Sequence, residues 1–223
     1  MTADKKINLV MDYDGTLHDS RAIYEPAFRR AMLDIEKSGW IEHKEYTSEE
    51  IVYWVGFSAR EMWLRFHPEL SEEQRNYASK LIGSYMREAL ENGMARLYPG
   101  TEETMDTLSH SYRLIFLSNC DRGYMEAHKK IFGLDRWFEA FYCTGDYDYA
   151  PKEEIFSKYI FEEGNVYVAV GDRIKDITLA KSSGIRGVGC LYGFGSKEEL
   201  SGADILIEDV SELSQALEEL KKF

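Results

Sequence analysis

Two carboxylates one residue apart, Asp12 and Asp14, followed at once by Gly15 and Thr16, are the residues of this chain best placed to do chemistry. They come straight after Asn8 and the three apolar residues Leu9-Val10-Met11, a short apolar run of the kind that forms a strand buried on both faces. In open α/β sheets chemistry gathers just outside the carboxyl ends of the strands. The period of two along a strand aims Asp12 and Asp14 the same way. Such a pair can act as a nucleophile beside an acid/base, or hold a hard cation. The plainer reading is an Asp-rich turn, since Asp and Gly are ordinary turn formers.

Other strand ends carry polar residues of particular kinds. The run over 112–117 ends in Ser118-Asn119, and the run over 166–170 leads into Gly171-Asp172. Asp176 follows about one helical turn later, so that it and Asp172 can face one cation. Lys152 stands between these two strand ends, just after Pro151, a residue suited to the first turn of a helix.

The elements that must position these residues fall into two kinds. From Arg21 to about Leu97 the pattern is helical: Phe28, Ala31, Met32 and Ile35 keep helical spacing up to Ser38-Gly39. Thr47 with Glu50, Ser58 with Glu61, and Ser71 with Gln74 have the spacing of capping boxes. After Tyr98-Pro99-Gly100, helices over 101–109, 123–132, 152–162 and 174–183 alternate with strands over 112–117, 138–142, 166–170, 186–191 and 203–207. A closing helix starts at Ser211. Strands alternating with helices build a parallel sheet with right-handed crossovers.

Composition sets limits on partners. The 223 residues suffice for one large domain or a domain with a sizeable insertion. A net charge of −13 argues against nucleic acid or an anionic membrane, whose phosphates would repel it. A small anionic substrate needs only a local positive site. Cys120, Cys143 and Cys190 form neither a CxxC pair nor an even framework, as expected of free thiols in a reducing cytoplasm. The first residues are polar and the apolar run after them is short, so neither a signal peptide nor a membrane span is expected.

Taken together, Asp12-Tyr13-Asp14-Gly15-Thr16, Ser118, Lys152, and Gly171-Asp172 with Asp176 resemble, in order and placement, the four motifs of the haloacid dehalogenase (HAD) superfamily, over Ile7 to about Leu217. The resemblance implies an α/β Rossmannoid core with strand order 3-2-1-4-5 and an inserted α-helical cap. The core would take residues 1–18 and 97–223, the cap 19–96. It also implies roles. Asp12 would be the nucleophile that takes the phosphoryl group. Asp14 would protonate the leaving oxygen and then activate water, its main-chain carbonyl touching Mg2+. Ser118 would bond a phosphoryl oxygen, and Lys152 would hold nucleophile and phosphate. Asp12 and Asp172 would be metal ligands and Asp176 an outer or alternative one, while Thr16 and Asn119, beside the motif positions, would orient these groups or bind substrate. One departure stands out: the family often follows its lysine with Pro-Asp-Pro, whereas Lys152 precedes Glu153-Glu154-Ile155.

Charge considerations agree with those roles. Asp12, Asp14, Asp172 and Asp176 together carry −4, against +2 from Mg2+ and +1 from Lys152, before a phosphate arrives. A carboxyl crowded by like charges is expected to have a raised pKa, which would suit Asp14 as a general acid. Arg60, beside Gly56, is a candidate substrate cation from the cap, against the simpler reading of a solvated helix arginine. His18 reads as a polar loop histidine, with contact to substrate as the alternative, and Trp54, Trp63 and Tyr85 as cap core, with the lining of an apolar substrate pocket as theirs. Members that cleave carbon–halogen or carbon–phosphorus bonds generally lack the second Asp. The expected function is therefore a Mg2+-dependent phosphatase acting on a small phosphate ester. The alternatives are a phosphomutase of the β-phosphoglucomutase type and a non-catalytic sensor of a phosphorylated ligand.

Overall fold

The strands β1 (Asn8–Met11), β2 (Arg113–Ser118), β3 (Phe138–Cys143), β4 (Tyr167–Gly171), β5 (Arg186–Cys190) and β6 (Ile205–Ile207) form one parallel sheet in the order β3-β2-β1-β4-β5-β6. The expected order 3-2-1-4-5 is present, with a sixth strand added beside β5. This is a computed structural model, and it describes residues 7–221; the polar residues 1–6 on which the signal-peptide expectation rests, and the last two, lie outside it. Central β1 is buried along its whole length, which is why Leu9, Val10 and Met11 are apolar without alternation; the amide of buried Asn8, at its start, donates to the Val166 carbonyl at 3.0 Å. Met11 pairs with Phe116 on one side and Val170 on the other. That register brings Asp12, Ser118 and Asp172 out at the same edge of the sheet.

Residues 19–96 form a compact unit of their own. It contains α1 (Arg21–Lys37), α2 (Ser48–Val52), α3 (Ala59–Phe66) and α4 (Glu72–Glu91). The expected capping boxes are all made, at Thr47/Glu50, Ser58/Glu61 and Ser71/Gln74. Each cap contributes about 1 kcal/mol, which matters for helices as short as α2 and α3. One face of α1, including Ile23, Phe28, Met32 and Ile35, is buried. The Phe28 ring meets Tyr46 and Phe66, and Trp63 is fully enclosed.

The other unit runs up to His18 and resumes at Leu97. Its helices α5 (Thr101–Ser111), α6 (Arg122–Phe132), α7 (Lys152–Ile155), α8 (Ile174–Ser183) and α9 (Leu213–Leu220) cover the sheet. The pleat sorts the strand residues between two faces. Leu9, Met11, Leu114, Phe116, Val168 and Val170 pack with Met105, Leu108, Met125, Leu213 and Leu217. Val10, Ile115, Leu117 and Ala169 pack with Ile155, Phe156, Leu179 and Ala180. Burial of each large aliphatic side chain stabilises the fold by about 1.5–3 kcal/mol. The helix expected over 152–162 differs in form: α7 passes after Ile155 into a π-helical turn, Phe156–Ile160. Phe156 and Ile160 are both buried, a four-residue spacing that an α-helix also shows, so the apolar pattern does not distinguish the two. Among the described residues no helix is long and apolar enough to cross a membrane.

Candidate active site

Asp12 leaves the end of β1 almost fully buried, and the Tyr13 N–H donates to its Oδ1 at 2.8 Å. Lys152, the first residue of α7, is buried too; its Nζ lies 2.9 Å from Asp12 Oδ1 and donates to Asp176 Oδ1 at 2.7 Å. The other oxygen of Asp176 accepts the Arg173 N–H at 3.0 Å, closing the first turn of α8. Asp176 therefore aims the lysine as well as capping its own helix. Burial alone would lower Lys152, but the adjoining carboxylates of Asp12 and Asp176 raise it above the ordinary lysine value, so it is a fixed cation.

Asp172 is held from several sides. Thr16 Oγ1 donates to its Oδ1 at 3.3 Å, and the Phe194 N–H to its Oδ2 at 2.7 Å. The loop carrying Phe194 is fastened in turn by the Tyr192 hydroxyl, which donates to the Thr16 carbonyl at 2.8 Å. Gly15 takes φ +81° with its Cα against the Asp172 carboxylate, where any Cβ would overlap it; this accounts for the glycine in Asp-Gly-Thr. A Cβ on Gly171 would likewise overlap the side chain of Asp176.

Asp12, Asp172 and Asp176 are all buried and can bring one oxygen each within 4.8 Å of one another. Burial pushes Asp12 up to about 7, against the lowering effect of Lys152, and pushes Asp172 well above the usual carboxylate range. Three carboxylates with one lysine leave an excess of negative charge in a dry site. Hard oxygen donors with uncompensated charge suit a hard divalent cation such as Mg2+.

Asp14 behaves differently from the expectation. Burial would raise its pKa, but the bond and charge of His18 and the bond from Tyr124 outweigh it and lower it. The donors on it matter more than the number of like charges nearby. Its Oδ1 accepts from the Tyr124 hydroxyl at 2.6 Å and lies 2.9 Å from His18 Nδ1. His18 is thus no polar loop residue: it is fully buried, stacked 5.2 Å from the Tyr13 ring and edge-on to His128 at 4.6 Å. Tyr124 comes from the first turn of α6, which Asp121 caps by accepting the Tyr124 N–H.

Ser118 is buried at the end of β2, with half-buried Asn119 next to it. Arg60 is exposed near the start of α3, in the helical unit. The residues that sequence reasoning missed are Tyr124, His128, Tyr192 and the Phe194 amide, together with the contact made by His18. None carries a signal before the chain is folded.

His128 supplies a prediction of its own. Burial, helped by His18, pushes it down to about 3, and its Nδ1 lies 2.9 Å from the Tyr13 hydroxyl. Below the unfolded value of 6.5 the unfolded chain takes up a proton that the folded one refuses. Stability is therefore complete above pH 6.5 and falls as the pH drops towards 3, by up to about 1.4 kcal/mol per pH unit from this group. In His128→Asn, whose amide can still face Tyr13, urea unfolding between pH 7 and 5 is expected to show a flatter dependence.

A family model described as haloacid dehalogenase-like hydrolase matches residues 9–190. A phosphoglycolate phosphatase of Vibrio vulnificus is 24% identical over 211 residues, covering 92% of each chain. A 5'-nucleotidase of Pseudomonas aeruginosa is 25% identical over 206 residues, covering 86% of each. The crystal structure of a predicted phosphatase from Clostridium acetobutylicum superposes with a TM-score of 0.80 at 21% identity, over 97% of this chain and 100% of that one.

Proposed function

This chain belongs to the haloacid dehalogenase-like hydrolase family and is a phosphoric monoester hydrolase, and from that premise we propose a Mg2+-dependent phosphatase that works through an aspartyl phosphate on Asp12. The observation that carries the reading is the buried contact of Lys152 with Asp12, at a strand end where a second carboxylate, Asp14, stands two residues on. A protein that merely bound a phosphorylated ligand would gain nothing from a nucleophile and an acid/base together.

Phosphoryl transfer asks for positioning and charge stabilisation above all. An oxygen of Asp12 attacks phosphorus as the bond to the leaving oxygen breaks, and Asp14 gives that oxygen its proton. Water then attacks the same phosphorus, Asp14 takes up a proton from it, and the Asp12 carboxylate is released. Lys152 keeps Asp12 in place and offsets negative charge, and Ser118 bonds a phosphoryl oxygen. Asp12, Asp172 and the main-chain carbonyl of Asp14 would hold Mg2+, which supplies the positive charge that lets a dianionic ester approach. Asp176, with both oxygens engaged, orients Lys152. Residues 19–96 act as the cap that admits substrate and then excludes water.

The relatives suggest a small soluble ester, such as glycolate phosphate or a nucleoside monophosphate. The test is phosphate release from glycolate, nucleoside and sugar phosphates, with Mg2+ or with EDTA. EDTA is expected to cut release by at least about 100-fold, the equivalent of about 2.7 kcal/mol, with recovery on adding Mg2+. Release indifferent to EDTA would defeat the metal assignment, and preferential transfer to a second sugar phosphate would mark a phosphomutase.

A further inference from the structure

We propose that His18 and Tyr124 are positioning residues that commit one oxygen of Asp14 to the protein, so that its other oxygen alone carries the proton exchanged with substrate. The inference rests on the acid/base role given to Asp14 above and goes beyond it.

The geometry is specific. Asp14 Oδ1 receives the Tyr124 hydroxyl at 2.6 Å and faces His18 Nδ1 at 2.9 Å. A carboxylate cannot donate, so Nδ1 carries the hydrogen and His18 is a second donor to the same oxygen. The Tyr124 hydroxyl and His18 Nδ1 are 3.3 Å apart, which sets both donors on one side of the carboxylate. With two donors on Oδ1, a proton held by Asp14 is placed on Oδ2.

Neither donor is free to swing away. The His18 ring is fully buried and lies nearly parallel to Tyr13, at 9°. His128 stands edge-on to both, 4.6 Å from His18 and 5.4 Å from Tyr13. Tyr124 packs 4.0 Å from His128, and the Tyr13 hydroxyl pairs with His128 Nδ1 at 2.9 Å. Four rings thus form a rigid backing to a carboxylate that is itself half-buried. Rigid support of this kind keeps a catalytic group within the narrow geometry that proton transfer needs.

The test uses leaving groups. An alkyl phosphate needs a proton delivered to its departing oxygen, whereas p-nitrophenolate leaves without one. In Tyr124→Phe and His18→Leu, kcat/KM on an alkyl phosphate is expected to fall about 10- to 100-fold relative to wild type. The fall on p-nitrophenyl phosphate should be smaller by about tenfold or more. His18→Asn, which can still present an N–H near Nδ1, should recover most of the loss on the alkyl ester. Equal losses on both substrates, or no loss on either, would overturn the proposal. Should the wild type release phosphate from neither, or Asp14→Asn leave turnover intact, the acid/base reading fails first and this inference falls with it.

Discussion

Lys152→Met is expected to destabilise the protein by about 3–5 kcal/mol and to abolish phosphate release. The size follows from burial, since Lys152 is only 2% exposed and sits between Asp12 and Asp176 at 2.9 and 2.7 Å. Met fills nearly the same volume, so loss of packing is small. What remains is two carboxylates in a dry site without their cation, and removing one partner of a buried ion pair costs far more than the pair itself is worth. For a chain of this length such a loss lowers the unfolding midpoint by roughly 6–20 °C. Added Mg2+ should recover part of it, because a bound cation would neutralise Asp12, one of the two carboxylates left unpaired. Thermal unfolding with and without Mg2+ is the check. A midpoint within about 2 °C of wild type would mean that the Lys152 contacts are not the main charge compensation here.

Much of the frame could be read before folding. β1 announced itself by the apolar run Leu9-Val10-Met11 that ends in Asp12-Tyr13-Asp14-Gly15-Thr16, because the middle of a strand buried on both faces is apolar up to the sheet edge. The capping boxes of α2, α3 and α4 were equally legible, since a cap depends only on residues three apart. Lys152 was placed correctly at a helix start by Pro151 despite the unusual Glu153-Glu154 that follows.

The rest depends on contacts that no local pattern encodes. The loop after Asp14 looks polar, yet His18 is enclosed by aromatic rings, one of which comes from Tyr13 and another from His128 on α6. Tyr124 reaches Asp14 across 110 positions of sequence. The Phe194 amide that holds Asp172 is a main-chain group, and any residue but proline could supply it. The direction of the Asp14 shift was missed for the same reason: like charges could be counted, but donors arriving from α6 could not. Gly15, by contrast, could be seen but only explained afterwards, by the Asp172 carboxylate that occupies the place of its missing Cβ.

The aspartyl-phosphate route requires that the phosphoryl group pass from the ester to Asp12. Asp12→Asn keeps the shape of the side chain but replaces a carboxylate nucleophile with an amide. Its neighbours stay paired, since Lys152 retains Asp176 and the Asn carbonyl can still accept the Tyr13 N–H. Phosphate release by wild type and Asp12→Asn, side by side at saturating Mg2+ on the best ester, is the most direct measurement. The expected result is a loss on the order of 10^4-fold or more, because a nucleophile is removed from a site whose other groups remain. Release by Asp12→Asn within about tenfold of wild type would contradict it, leaving direct attack by water as the route.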